Sequence, residues 1–318
     1  MATLSTYQTK AEKQTVFTNS AFCDSEQDVR DWLADLDRGR FDGGGMAFRG
    51  LSRSSYKLYS SLQRNWIEQD LAASHPDHKA LVERILDEAF RKGVSGTVLQ
   101  NGERDDLAML SYLQHHECPT PLLDFTSDIR VALFFASQEP RGVGNGSELD
   151  EYFAVYIFHP QVVKTMNAGL EKAWWAYSPG QHAEAARCFR SYEMNCLQDT
   201  LIFEPQWIQR VYGADVVNLD TSERFRRQSG LFAMNNTSDL PFPEAIHAFV
   251  DARTNDERER QSVRTWINSL NIHRDYVELV RTWLTTKQPP LTRDRLLPGQ
   301  EAQQWARDIF DLVLKRTL

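Results

Sequence analysis

Two prolines constrain the middle of the chain more than any other feature. Cys118-Pro119-Thr120-Pro121 cannot continue a helix, because each ring removes a backbone donor and pushes the preceding residue toward extended geometry. That extended backbone runs straight into the apolar pair Leu122-Leu123. From Asp128 to Ser137 the apolar residues Val131, Leu133, Phe134 and Phe135 then fit a buried helix, opened by a Thr126/Ser127 cap. A strand handing over directly to a core helix is expected here.

The remaining elements follow from periodicity. Residues 1–25 read as irregular, and Asp24-Ser25-Glu26-Gln27 caps a helix carrying Val29, Trp32, Leu33 and Leu36. A Gly43-Gly44-Gly45 run feeds a short apolar strand ending at Arg49. Helices are expected over 66–92, broken around His75-Pro76, and over Asp105–His115. The stretch 161–196 reads as polar helix, with Trp174, Trp175 and Tyr177 ahead of a break at Ser178-Pro179-Gly180. Strands are expected at Tyr152–Phe158, Thr200–Phe203, Leu231–Met234 and Ala245–Val250. Helices over Asp256–Leu270, Arg274–Lys287 and Glu301–Lys315 complete the chain. Strands and helices interleave without regular βαβ alternation, which favours α+β with a mixed or antiparallel sheet. The expected organisation is an irregular segment over 1–28, a main domain over 29–254 and a helical region over 255–318.

Charge and cysteine usage narrow the function classes. A formal charge of −8 over 318 residues argues against a protein that coats nucleic acid through bulk electrostatics, though it allows a locally basic cleft. Cys23, Cys118, Cys188 and Cys196 share no metal-ligand spacing, so a reduced, cytoplasmic setting is expected, with no metal. No apolar run reaches the length of a membrane span, and Met1 to Gln14 lacks a signal peptide's apolar centre.

Chemistry concentrates in two segments. Phe48-Arg49-Gly50 places an arginine at a strand end beside a residue without a side chain, which presents a five-donor fork to an anion. Tyr56-Lys57-Leu58-Tyr59-Ser60-Ser61-Leu62-Gln63-Arg64 follows it, and Gln114-His115-His116-Glu117-Cys118-Pro119-Thr120-Pro121-Leu122-Leu123-Asp124-Phe125-Thr126 forms the second segment. Together they resemble the FRG domain, a bacterial and phage module named for its Phe-Arg-Gly motif. A third stretch, Arg224 to Phe232 with Gln228 and Gly230, extends the likeness over about residues 29–235. The chain departs from the family pattern at Glu117, where glycine is expected, at Pro121 (arginine) and at Phe125 (tryptophan).

Two of these motifs also resemble arginine-type ADP-ribosyltransferases, in which a strand ends aromatic-Arg-Gly and a hydroxyl motif precedes a Val-Ala-x-x-Phe helix. In this chain the second motif is Thr126-Ser127-Asp128 with Val131, Ala132 and Phe135. The resemblance implies that Arg49 and Gly50 hold the phosphates of NAD, with Tyr56, Arg64, Thr126 and Gln228 as further cofactor contacts. It also implies a carboxylate at a late strand, where this chain carries Gln228-Ser229-Gly230. Glycosyl chemistry needs an acid near the anomeric carbon, and Asp124 and Glu223 are the candidates, with His115 as a general base or ribose contact.

Each candidate also has an ordinary structural role. His115 fits a satisfied core histidine, Asp124 a helix cap, and Tyr56 and Arg64 the packing of a helix start. Gln228 and Gly230 fit a strand entry or bulge. Arg224, Arg226 and Arg227 are either a phosphate-backbone contact or a solvated helix end. Trp174, Trp175 and Tyr177 either stack a base or pack the core. The expected function is an effector or toxin of host–phage conflict that transfers ADP-ribose from NAD or cleaves its glycosidic bond. The alternative is a non-catalytic sensor module of a defence system, binding a nucleotide, a nucleic acid or a protein.

Overall fold

The computed structural model describes residues 3–41, 45–75, 77–92, 106–140, 144–159, 161–162, 200–203, 227–287, 290–296 and 304–315. A seven-stranded mixed sheet organises them, in the order β1-β7-β4-β2-β3-β6-β5. The strands are β1 Ala21–Cys23, β2 Ala47–Leu51, β3 Leu122–Thr126, β4 Tyr152–Phe158, β5 Thr200–Phe203, β6 Gly230–Asn235 and β7 Ile267–His273. Only β1 and β7 run parallel; every other neighbouring pair is antiparallel. The α+β class with a mixed sheet is thus what the chain adopts.

The helices, numbered along the described residues, are α1 Lys10–Val16, α2 Glu26–Asp37, α3 Ser61–Glu68, α4 His78–Arg91, α5 Asp106–His115 and α6 Ile129–Ala136. After β6 come α7 Phe242–Arg253 and α8 Glu257–Thr265, and after β7 come α9 Val277–Thr286, α10 Arg293–Leu296 and α11 Gln304–Lys315. Strand alternation feeds two different cores from one sheet. Phe153, Val155 and Ile157 of β4 join Phe48, α6, and Val29 and Leu33 of α2 on one face. Ala154, Tyr156 and Phe158 face the other way, against Phe17, Phe242 and Ile246. A third cluster gathers α3, α4, α5 and α11 over Leu122, Phe232 and Met234.

Four expectations are corrected. The N-terminal segment is ordered rather than irregular, with α1 and β1 in place. Lys13 anchors it: the fully buried ammonium donates to Ser54 O, Ser54 Oγ and Asn271 Oδ1, each at 2.8 Å. It also lies 4.6 Å from the centre of the Tyr156 ring, and burial holds its pKa well below the usual lysine value. Ala245–Val250 is helix, not strand, because Pro241 and Pro243 start α7 and Ala245, Ile246 and Val250 recur on one helical face. The helix expected over Asp256–Leu270 ends at Thr265, and β7 follows at once. Residues 255–318 therefore supply a strand to the middle of the sheet, between β1 and β4. Finally, α6 is capped by Asp128, whose side chain accepts from Arg130 N at 2.9 Å, and not by the preceding hydroxyls or by Asp124.

Candidate functional site

Arg49 occupies the central strand β2, paired to Tyr156 of β4. On the other side β2 and β3 share one ladder position, Phe48 with Thr126. Beyond it the place of a strand-to-strand bond is taken by a side chain: Arg49 Nη1 donates to the main-chain carbonyl of Asp124. The guanidinium sits 6.0 Å from the centre of the buried Phe125 ring, and its Nε is buried with no hydrogen-bond partner. Burial pulls its pKa down to about 10, opposed by the charge of Asp124 and reinforced by that of Arg64. At neutral pH it remains a poorly solvated cation.

A small cleft of about 140 Å³, open to solvent, forms against this side chain. Arg49, Lys57 and Arg64 supply three cations to its lining, while Tyr56, Tyr59, Leu51 and Leu58 supply rings and apolar surface. Among the described residues, no acidic side chain lines it. The N-terminal segment closes one wall with Leu4, Ser5 and Thr6. It is held there by a Thr6–Tyr56 bridge, by Tyr7 N donating to Ser55 O at 2.8 Å, and by the 2.6 Å hydrogen bond between Ser5 Oγ and Tyr59 OH. Ser60 starts α3 with a reciprocal capping box to Gln63, which fixes the direction from which Arg64 approaches. Arg49, Tyr56 and Arg64, three residues singled out in the sequence, therefore line one cavity.

Gly50 has a different task from the one its motif suggested. A Cβ there would fall 1.9 Å from Ala132 O and 2.8 Å from Ala136 N, so α6 lies directly against the strand backbone. Gly50 permits helix–strand contact on the face opposite Arg49, not the approach of an anion.

Asp124 and Thr126 lie beside Arg49 but direct their side chains elsewhere. The Asp124 carboxylate accepts from Gln114 Nε2 at 3.1 Å, and Gln114 Oε1 accepts from Thr120 Oγ1 at 2.6 Å. Thr126 is buried; its hydroxyl donates to Gln228 O at 2.6 Å and accepts from Asp128 N at 3.0 Å. Gln228 sends its amide to Leu296 O at 2.8 Å, binding the turn before β6 to α10. Thr126 and Gln228 thus form a structural joint. His115 ends α5 with its ring 5.1 Å from that of His116, and the neighbouring Gln114 is the residue that reaches Asp124.

Glu223, Arg224, Arg226, Trp174, Trp175 and Tyr177 lie outside the described residues. Lys57 was not singled out in the sequence, because nothing in its spacing distinguishes it from a surface lysine; only the fold brings it to the cleft that Arg49 also lines. Among the described residues no helix is long and apolar enough to cross a membrane, and no group of three or more His, Cys, Asp or Glu side chains could hold a metal ion.

Fold and cleft together define a mixed α/β protein with a cationic site beside its central strand. Residues 44–143 match the FRG domain, so the stretch that carries both Arg49 and Asp124 is similar to that family. No curated protein and no solved structure matches the chain.

Proposed function

We propose that the Arg49 cleft binds the phosphates of a nucleotide, NAD or a relative of it, and that the chain is an effector acting on that nucleotide. One observation carries this reading: a half-buried guanidinium whose single hydrogen bond goes to a carbonyl and whose Nε has no partner. Desolvated cations without a carboxylate are unfavourable in a folded protein unless something anionic completes them. A phosphate does so through charge-assisted hydrogen bonds. The tyrosines and leucines of the lining offer surface for a base or nicotinamide ring. The FRG likeness adds the setting, host–phage conflict, in which a toxin or antiviral defence protein would transfer ADP-ribose or cleave the glycosidic bond.

A second reading, a nucleotide-binding module without chemistry, is favoured by the same lining. Glycosyl transfer needs a carboxylate at the anomeric carbon, and among the described residues the cleft lining holds none. Incubating the protein with NAD while following nicotinamide release, alongside calorimetric titration, separates the two. Binding with release supports the enzyme, and binding without release supports the module. Absence of both, with ADP also failing to bind, would reject the nucleotide site.

A further inference from the structure

Lys57 faces the cleft from a built environment. Its ammonium lies 3.4 Å from Glu244 Oε1 and 4.7 Å from the centre of the Tyr7 ring, and the two charged side chains are only 16% and 21% exposed. Glu244 keeps its place without Lys57. It sits in the first turn of α7, where the helix dipole favours negative charge, and Oε1 also accepts from Tyr7 OH at 3.0 Å. Its second oxygen, Oε2, is buried with no hydrogen-bond partner. A lysine carries a compact charge on a flexible stem, so it can leave one anion for another without moving backbone.

We propose that Glu244 is an internal stand-in for a ligand phosphate, and that Lys57 exchanges this carboxylate for the second phosphate of a diphosphate whose first is held by Arg49. The inference rests on the nucleotide reading above and narrows it to ligands with two linked phosphates, a nucleoside diphosphate or a pyrophosphate-bridged dinucleotide. Arg49 alone would serve a monophosphate. A second cation on the same lining, paired with an acid, serves a longer polyanion, and Glu244 offsets its charge until a phosphate takes the carboxylate's place.

Calorimetric titration with ADP and AMP tests the exchange. Wild-type protein should bind ADP about tenfold or more tighter than AMP, the worth of one added charge-assisted contact. Lys57→Met should bring that ratio close to one while keeping AMP affinity, and Lys57→Arg should retain the ratio. Glu244→Gln should tighten ADP binding several-fold, because the competing anion is gone, and should have no effect in a Lys57→Met background. A Lys57→Met protein that still prefers ADP, or that loses AMP together with ADP, overturns the proposal, as does weaker ADP binding in Glu244→Gln. Wild-type protein that binds neither nucleotide rejects the nucleotide reading itself, and this inference falls with it.

Discussion

Arg49 donates to the main-chain carbonyl of Asp124 and leaves that residue's carboxylate to Gln114. The arrangement follows from the sheet: β2 and β3 pair only at Phe48 and Thr126, so the Asp124 carbonyl is open to a side chain. A guanidinium bonded to a neutral acceptor, with the nearby carboxylate turned to Gln114, is only partly offset and can still pair with a ligand anion. One held by a carboxylate would already be neutralised.

Asp124→Asn should therefore leave nucleotide affinity within about threefold of wild type, since asparagine retains both the carbonyl and an acceptor for Gln114. Calorimetry on the variant measures this directly. A loss of binding or turnover by orders of magnitude would instead make the Asp124 carboxylate part of the chemistry.

Gly50→Ala should destabilise the fold by about 3 kcal/mol or more, because the added methyl has no room against the backbone of α6. Urea unfolding gives the value. A loss below about 1 kcal/mol would mean that α6 can shift away, and that Gly50 is free for another role.

His247 gives the fold an acid sensitivity. Burial first, then the charge of Arg264, lower its pKa from 6.5 to about 4, with Asp251 opposing. A depressed histidine pKa means that the unfolded chain binds the proton more readily. Its contribution is fully present above pH 6.5 and is lost as pH falls from 6.5 through about 4, up to about 3 kcal/mol in all. Stability measured by urea at pH 7 and pH 4.5 should fall less in His247→Gln than in wild type. An equal fall in both proteins would remove His247 as the cause.

The sequence revealed most where local physics decides. The prolines before Leu122, the helix of Val131 and Leu133, and the continuous apolar run of β4 are each set within a dozen residues. β7 escaped because its Ser269 and Asn271 are buried polar side chains, and Asn271 serves Lys13 more than 250 positions away in the chain. Their polarity hid a strand inside a stretch that otherwise continues a charged helix. Gly50 was legible as special but not for what, since a missing side chain can admit an anion or a helix. The glycine expected at position 117 has a physical reason: Glu117 there has φ +64°, a conformation glycine takes without strain. Lys57 and Glu244 meet only through tertiary structure, so no spacing could announce them.

The most direct test is titration of NAD into wild-type and Arg49→Ala protein by calorimetry, with a thermal melt of each. Arg49 has no carboxylate to leave unpaired and gives up one hydrogen bond, so the variant should melt within about 3 °C of wild type. Its affinity should fall by about thirtyfold or more, the loss of a charge-assisted phosphate contact at a half-buried guanidinium. NAD binding that is unchanged in a folded Arg49→Ala protein would contradict the assignment of this cleft as the nucleotide site.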